Sequence, residues 1–312
     1  MLKRLLFVLM VACTDNACAQ VHINKDLDSL KSHYDTVAQV NDTRSEAYTE
    51  TTRITFPIYF KLLWSDLKQQ VTAPIRGNKQ DWIRFGGLVA GTAVLSFADE
   101  PLQEKALEWR NNSSTVRTVS RQVTHLGANY ETYTLISLGV YGFVFKNEKV
   151  KTTTLLATQS YITSAVIMAV IKNTAGRQRP DYIDPATGKA ASKFHGPSLN
   201  HSDEFKSFPS GHTTAAFAAA TVYAMEYRKS IIVPIVAYSA ASLVGISRVT
   251  ENKHWATDAL IGATIGYLCG RVVVNNYHRF AKLMNARKLK GTASVTVNYS
   301  YGVLQPGIIY RF

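Results

Sequence analysis

The chain has 312 residues, enough for one large domain or two modest ones, and 46% of them are hydrophobic. A mean hydropathy of −0.06 counts against a protein made mostly of membrane-spanning helices. The 35 Lys and Arg residues outnumber the 22 Asp and Glu residues, which gives a net charge of +13. That charge favours a phosphate-rich partner, which could be anionic lipid, nucleic acid or a phosphorylated metabolite.

The first 19 residues have the organisation of a secretory signal peptide. Lys3 and Arg4 precede an apolar run over 5–12, and Ala17-Cys18-Ala19 resembles an export cleavage site. An uncleaved anchor is the alternative, and a lipid-modified Cys13 is a weaker one. Cleavage after Ala19 would leave Cys269 alone, which excludes an intramolecular disulfide framework. The sequence has no C-x-x-C pair and therefore no cysteine-based zinc site.

Residues 20–80 are predicted to form a polar lead-in followed by an amphipathic segment. The lead-in over 20–55 is mixed in charge and has no strong period. Residues 56–76 mix aromatic with charged residues, which is equally consistent with a helix on a membrane surface and with a helix packed on the domain.

The region 81–290 is predicted to be an all-α bundle of about six core helices. Ala, Gly, Ser and Thr are frequent in these stretches and permit close helix packing, in a membrane or in a soluble bundle. Most stretches have only about 15–20 residues, which is marginal for a bilayer that needs roughly 20. The predicted helices lie near 82–98, 132–145, 152–172, 211–227, 231–246 and 255–275.

Basic residues occupy alternate links between these stretches. They lie in 146–151, in 228–229 and from 271 to 290. If the stretches span, the positive-inside rule places these links in the cytoplasm, and the ends near 173–210 and 247–254 face outward. A cleaved signal peptide conflicts with this orientation, because three crossings would bring residue 173 inside. Either one stretch does not span, or the N-terminus is not exported, or the bundle is largely extramembrane; 82–98 is the least convincing span.

The tail over 291–312 changes to a β pattern. Val295, Val297 and Tyr299 alternate with polar residues, and Gln305-Pro306-Gly307 precedes a second apolar run. This predicts a short C-terminal β-hairpin with its turn at the Pro-Gly pair, folded on the domain or paired with a partner. Two strands cannot close a membrane barrel.

Three clusters at the outward ends of the helical stretches combine the groups needed for phosphoryl transfer. Taken singly, each has a structural explanation as a helix end, a turn or a surface ion pair. Together they supply fixed positive charge and a helix N-terminus, which stabilise a phosphoryl group in transit without a metal. The proposed phosphate ligands are Lys172, Arg179, Ser210, Gly211 and Arg248.

Two histidines and one aspartate complete this chemistry. His254 can attack phosphorus, and Asp258, four residues on, can accept the proton on the other ring nitrogen if both share one helix face. His212 can protonate the leaving oxygen and later activate water. The polar segment 181–207 should cover the pocket. His195 and His201 in it are interpreted as solvated loop residues rather than substrate contacts.

The motifs K-x6-R-P, P-S-G-H and S-R-x5-H-x3-D resemble those of the type-2 phosphatidic acid phosphatase family. They fall at Lys172-Arg179-Pro180, at 209–212 and at Ser247-Arg248-His254-Asp258, within roughly 82–280. The resemblance implies an all-helical core, a His254 nucleophile supported by Asp258, His212 as acid, and no metal or other cofactor. Residues 206–213 depart from the signature of soluble acid phosphatases of the superfamily, with Lys206 for Gly and Phe208 for Tyr.

The function implied is hydrolysis of a lipid phosphate or diphosphate through a phosphohistidine. Phosphatidate, phosphatidylglycerophosphate, a polyprenyl diphosphate or a lipid A phosphate are the candidate substrates. Membrane and phosphorylated lipid are the expected partners, and nucleic acid is not. The expected location is the bacterial cell envelope with the site facing the periplasm; the inner membrane is favoured, and the outer membrane and the soluble periplasm are the alternatives. A soluble acid phosphatase is the alternative, followed by a vanadate-dependent haloperoxidase and a non-catalytic membrane-associated protein.

Overall fold

The computed structural model describes residues 50–125, 129–185, 187–198, 200–289, 292–300 and 303–311. In these ranges the chain forms nine α-helices, a short 3₁₀ turn over Asp203–Phe205 and two strands. The helices are α1 Phe56–Arg76, α2 Lys79–Ser96, α3 Asp99–Asn112, α4 Ser114–Thr124, α5 Asn129–Val144, α6 Glu148–Ala175, α7 Gly211–Glu226, α8 Ile232–Thr250 and α9 Ala256–Leu289. The strands are β1 Thr292–Ser300 and β2 Val303–Arg311. The predicted signal peptide lies outside the described residues.

The six predicted core helices are confirmed as α2 and α5–α9. The helices α3 and α4 were not predicted, because the sequence over 99–124 is polar and lacks an extended apolar period. Side chains cap several of these helices. Asn78 and Asp81 form a capping box at α2, and Asn147 accepts the Val150 N–H at the start of α6.

Helix α7 lies at the centre of the bundle and packs against α6, α8 and α9. Its alanines let the neighbouring helices approach closely, and Ala218, Ala219 and Ala220 are buried. On α9 the facing residues are Gly262, Gly266 and Gly270, one turn apart. A Cβ added to any of them would fall within 2.7 Å of a backbone oxygen of α7 or of its N-cap residue Ser210. Along this row of glycines the backbones of α7 and α9 are therefore in direct contact.

Helix α1 packs on α9 and α6, where its Leu62 and Asp66 are buried. Its opposite side is apolar and exposed, with Phe56, Phe60 and Trp64 one turn apart. The sequence left open whether 56–76 lies on a membrane surface or on the domain. In the structure it is packed on the domain and also presents an apolar stripe outward.

Large apolar side chains cover much of the outer surface of the bundle. They include Ile136, Val140 and Phe143 on α5 and Ile235 and Val236 on α8, each more than half exposed. By length and composition, three helices of the described ranges could cross a membrane: Glu148–Ala175, Ile232–Thr250 and Ala256–Asn285. The stretch 82–98, predicted to be the least convincing span, is not among them.

The two strands pair in antiparallel register from Thr292 with Arg311 to Ser300 with Val303. The predicted turn position is wrong: Gln305, Pro306 and Gly307 lie inside β2, and Pro306 is opposite Val297. A two-stranded sheet has only edge strands, so a proline without an N–H is tolerated at a position that does not donate to the ladder.

Candidate active site

The predicted site residues lie at one end of the bundle because consecutive helices run in opposite directions. The C-terminal ends of α6 and α8 meet the N-terminal ends of α7 and α9 there. Lys172 is in the last turn of α6, and Arg248 is in the last turn of α8. Ser210 is the N-cap of α7, followed by Gly211 and His212.

Local backbone geometry brings the motif residues back into the core. Helix α6 ends at Gly176, which has a left-handed conformation with φ of 57° that glycine adopts without strain. The chain then reverses, so that Arg177 is buried. The Ser210 N–H donates to the carbonyl of Asp258 at 3.0 Å, and this bond fixes the start of α7 against the first turn of α9.

His254 is buried, with 2% of its surface exposed, and it precedes α9 instead of lying in it. Its Nδ1 is 2.7 Å from the main-chain carbonyl oxygen of Ser207 and 3.7 Å from Oδ2 of Asp258. A carbonyl oxygen can only accept, so Nδ1 carries the proton and Nε2 keeps its lone pair. The tautomer suited to attack is therefore held by Ser207.

The hydrogen bonds of Asp258 differ from those expected from the sequence. The sequence predicts that its carboxylate accepts the ring proton of His254, but the Ser207 carbonyl is nearer because His254 lies outside the helix. Oδ2 of Asp258 instead accepts the Trp255 N–H at 2.9 Å and the Ser207 hydroxyl, and Oδ1 pairs with Arg177. At 3.7 Å the carboxylate acts on His254 mainly through its charge.

Three cationic side chains converge beside the histidines. Nζ of Lys172 donates to the Lys206 carbonyl at 3.0 Å and lies 3.9 Å from where a Cβ on Gly211 would be. Arg179 pairs with the exposed Asp203 at 3.2 Å. The buried Nε atoms of Arg179 and Arg248 have no hydrogen-bond partner in the described part of the chain. Buried donors without acceptors mark a place where an anion can bind.

The helix N-terminus adds backbone donors to this cationic surface. N–H groups of the first turn of α7 have no intrahelical acceptor, and the helix dipole places positive charge there. Ser210 itself is already engaged, because its N–H bonds to Asp258 and its buried hydroxyl pairs with Thr213 at 2.8 Å. The donors left for an anion are those that follow Ser210.

Burial and the surrounding cations keep both histidines neutral in the free protein. Burial lowers the pKa of His254 to about 4, with the positive charges of Lys172 and Arg248 adding to the effect and Asp258 opposing it. Burial and the positive charge of Arg248 lower the pKa of His212 to about 3. A neutral His254 suits a nucleophile, whereas His212 needs a bound anion before it can hold a proton.

Three residues in contact with the site were given no role from the sequence, although Arg177 lies in the same cluster as Lys172 and Arg179. Ser207 and Arg177 bond to Asp258, and Asp99, at the start of α3, pairs with Arg177 at 2.6 Å. Ser207 and Arg177 fall within or next to motifs, but Asp99 has no motif around it.

The loop histidines His195 and His201 contact residues outside the three motifs. The ring of His195 packs on Phe205, and Nε2 of His201 lies 2.8 Å from the Gly196 carbonyl. Over the described ranges, no three His, Cys, Asp or Glu side chains are grouped as metal ligands.

Comparison with known proteins assigns the family. A model described as the PAP2 superfamily matches residues 153–282. Phosphatidylglycerophosphatase B of Bacillus subtilis is 30% identical over 185 residues, which cover 57% of this chain and 82% of that protein. Helices long and apolar enough to span, together with this likeness, make the chain a membrane protein. It belongs to the PAP2 superfamily, as its three motifs predicted.

Other relatives match over shorter lengths. A lipid A 1-phosphatase of Porphyromonas gingivalis is 48% identical over 67 residues, which are 21% of this chain and 15% of that protein. The chain spans 49% of a probable diacylglycerol pyrophosphate phosphatase of Schizosaccharomyces pombe, at 30% identity. A crystal structure of a transmembrane PAP2-type phosphatidylglycerolphosphate phosphatase from Bacillus subtilis is 24% identical. The match covers 65% of this chain and 94% of the crystallised chain, with a TM-score of 0.43.

Proposed function

We propose that this chain is a phosphatase that hydrolyses a phosphorylated lipid, with His254 as its nucleophile. The observation that carries the proposal is the pair of buried, unpartnered Nε donors on Arg179 and Arg248 beside a buried neutral histidine. Fixed donors around an attacking nitrogen are what phosphoryl transfer requires, since its transition state spreads negative charge over three oxygens.

The cationic side chains bind the substrate phosphate first. Arg179 and Arg248 offer planar pairs of N–H donors, Lys172 supplies a point charge, and the first turn of α7 supplies backbone N–H groups. Arg179 exchanges its exposed partner Asp203 for the phosphate. These groups neutralise the phosphate oxygens, so the reaction we propose needs no metal ion.

The bound phosphate is then transferred in two steps. Nε2 of His254 forms a bond to phosphorus while the bond to the ester oxygen breaks, and His212 gives its proton to the departing alkoxide. A water molecule next attacks the phosphohistidine, His212 takes a proton from that water, and the N–P bond breaks. Inorganic phosphate leaves and His254 is neutral again.

The low pKa of His212 in the free protein is compatible with this role. It is lowered by burial and by the positive charges of Arg248, Lys172 and Arg179. A phosphate dianion placed among the same cations cancels much of their effect and raises the pKa of His212, so that the acid is charged when substrate is bound.

A lipid is the substrate class that the outer surface of the bundle favours. Apolar side chains cover α5 and α8, so the site lies at one end of a body suited to a bilayer. The relatives are called a lipid A 1-phosphatase, a phosphatidylglycerophosphatase and a diacylglycerol pyrophosphate phosphatase, and all three names denote phosphorylated lipids. Phosphatidate, phosphatidylglycerophosphate, a polyprenyl diphosphate and lipid A are the substrates to test.

We further propose that the site faces the periplasm of a bacterial cell envelope, with the inner membrane favoured. The basic links at 146–151 and 228–229 lie at the helix ends opposite the site. The positive-inside rule assigns such links to the cytoplasm. An export signal over 1–19 would agree with envelope location, and it agrees with this orientation if 82–98 does not span, as its absence from the candidate spans of the described ranges favours.

Phosphate release from a panel of those lipids and from a soluble phosphomonoester tests the proposal. We expect turnover of lipid phosphate that EDTA leaves unchanged, and complete loss of turnover in His254→Ala with the fold retained. The control is His125→Ala, which removes an exposed histidine at the end of α4 and should leave turnover intact.

The outcomes separate the alternatives. Near-normal turnover in His254→Ala rules out the nucleophile, and loss of activity in EDTA rules out the metal-free mechanism. Equal rates on the soluble ester indicate a broad-specificity acid phosphatase. Halide oxidation with peroxide and vanadate, in place of phosphate release, indicates a haloperoxidase. Acid-labile, base-stable labelling by a ³²P-phosphate donor in wild type but not in His254→Ala supports the phosphohistidine.

A further inference from the structure

Three buried charged side chains, Asp99, Arg177 and Asp258, form an ion trio on the Nδ1 side of the proposed nucleophile His254. The guanidinium of Arg177 bridges two carboxylates: Nη2 bonds to Oδ2 of Asp99 at 2.6 Å, and Nη1 bonds to Oδ1 of Asp258. Each of these three side chains is at most 1% exposed. Phe194, 4.9 Å from the guanidinium, helps to shield it from water. Charges buried this deeply interact strongly because water does not screen them.

Asp99 also fixes the beginning of the helix that carries Asp258. Its Oδ1 accepts the Thr257 N–H at 3.0 Å, and its Oδ2 accepts the Thr257 hydroxyl. The Thr257 hydroxyl is in turn 2.8 Å from Nη1 of Arg177. One carboxylate from α3 thus holds both the first turn of α9 and the arginine that pairs with Asp258.

The N-terminal end of α3 also binds Ser192, which lies in the segment between α6 and α7. Glu100 accepts the Ser192 N–H at 3.2 Å, and the Ser192 hydroxyl bonds to Nη2 of Arg177. Asp99 and Glu100 lie outside residues 153–282, which the family model matches. The helix that supplies them therefore lies outside the region that the family model matches.

The trio carries one net negative charge, from two carboxylates and one guanidinium. Asp258 faces His254 at 3.7 Å, so this charge lies on the side of the ring away from Nε2. When Nε2 bonds to phosphorus, the imidazole becomes positive, and a buried negative charge behind it stabilises that state. Removing Asp99 leaves the trio neutral and frees Arg177 to neutralise Asp258 fully.

We propose that Asp99 is a positioning residue of this active site, which acts through Arg177 and Thr257 on Asp258 and so on His254. The inference rests on the proposed function, because it assumes that His254 reacts. The chain of contacts from α3 to His254 consists of four side chains that the fold brings together: Asp99, Arg177, Thr257 and Asp258.

The pH dependence of turnover separates this role from a purely structural one. Other charged groups act on His254 or on the neighbouring His212, and the variants leave them unchanged: Lys172 on α6, His212 on α7, Arg248 on α8, Asp258 on α9 and Arg179 in the segment after α6. Asp99→Asn removes a negative charge behind the ring, so His254 stays neutral to lower pH. Arg177→Gln removes a positive charge, so His254 is protonated at higher pH.

The experiment is the pH profile of kcat on the best lipid phosphate of the panel. For Asp99→Asn we expect kcat to fall about tenfold with KM nearly unchanged, since a bond to a charged group is lost but the phosphate ligands are not. Its acidic limb should move down by roughly 0.5–1 pH unit, and that of Arg177→Gln should move up by about as much. Glu104→Gln is the control, because Glu104 is an exposed acid on the same helix.

If Asp99→Asn and Arg177→Gln do not fold, Thr257→Val still tests the inference. It removes one hydroxyl, retains the N–H bond to Asp99 and should lower kcat about threefold to tenfold. The inference is overturned if the acidic limbs of Asp99→Asn and Arg177→Gln do not move in opposite directions. When neither folds, it is overturned by wild-type kcat in Thr257→Val. Full turnover in His254→Ala refutes the proposed function instead, which is a distinguishable result.

Discussion

Replacing Gly266 by alanine tests whether the backbone contact between α7 and α9 sets the geometry of the site. The Cβ of alanine would lie 2.2 Å from the Thr214 carbonyl oxygen and 2.8 Å from the Ala218 N. Non-bonded heavy atoms pack at about 3.5–4.0 Å, so the two helices must separate by roughly 1 Å. Both contacts are backbone, and no side-chain rotation relieves them.

The cost can be weighed against the better helix propensity of alanine. Overpacking costs typically about 1–3 kcal/mol, while alanine gains up to about 1 kcal/mol over glycine inside a helix. The net loss of unfolding free energy should therefore be about 1–2 kcal/mol. The separation also moves His212 on α7 away from His254. A misplacement of about 1 Å can cost on the order of 100-fold in rate, so kcat should fall by about 10- to 100-fold.

Thermal unfolding in detergent and steady-state phosphate release measure the two effects. Gly91→Ala is the matched control, because Gly91 lies in a helix and has open space around its Cβ position. It should be as stable as wild type or more so, with unchanged kcat. Gly266→Ala with wild-type stability and turnover would refute the close backbone contact and its part in holding the histidines together.

Three further predictions follow from single contacts of the structure. Ser207→Ala removes a hydroxyl bonded to Asp258 but keeps the carbonyl that holds His254, so kcat should fall about tenfold with KM unchanged; an equal loss in Ser202→Ala, an exposed serine of the same loop, contradicts this. The pKa of His254 is about 4 in the folded protein and about 6.5 when unfolded, so the unfolded chain binds more protons between these values. Stability should then rise with pH across this window, by up to about 3 kcal/mol, and urea titrations of His254→Asn should show a flatter dependence. Glu226→Gln breaks the buried pairing with Lys149 and His278 and should lower the thermal midpoint. It should leave kcat unchanged, because the far end of α7 is about 21 Å from His212.

Sequence reasoning identified most of the helical architecture and the motif residues. Apolar stretches separated by polar links predict the positions of helices α5–α9, since the burial of apolar side chains dominates such segments. The predicted end of α9 at residue 275 is wrong, because the helix continues through a more polar stretch to Leu289. Alternation of helix direction then places the three motifs at one end without any knowledge of packing. Helices α3 and α4 were missed because their residues are mostly polar and their order depends on contacts with α8.

The contacts between the motif residues depended on the tertiary structure. Arg177 is 78 residues from Asp99 and 81 from Asp258, so only the packing of α3 against the start of α9 makes them neighbours. The acceptor of the His254 ring proton is a main-chain carbonyl, which every residue has and no motif can mark. The chemistry of the site follows from which side chains the chain contains, because a few spaced residues suffice to specify it. Their orientation was decided by close backbone packing and by buried charges, which act between distant segments.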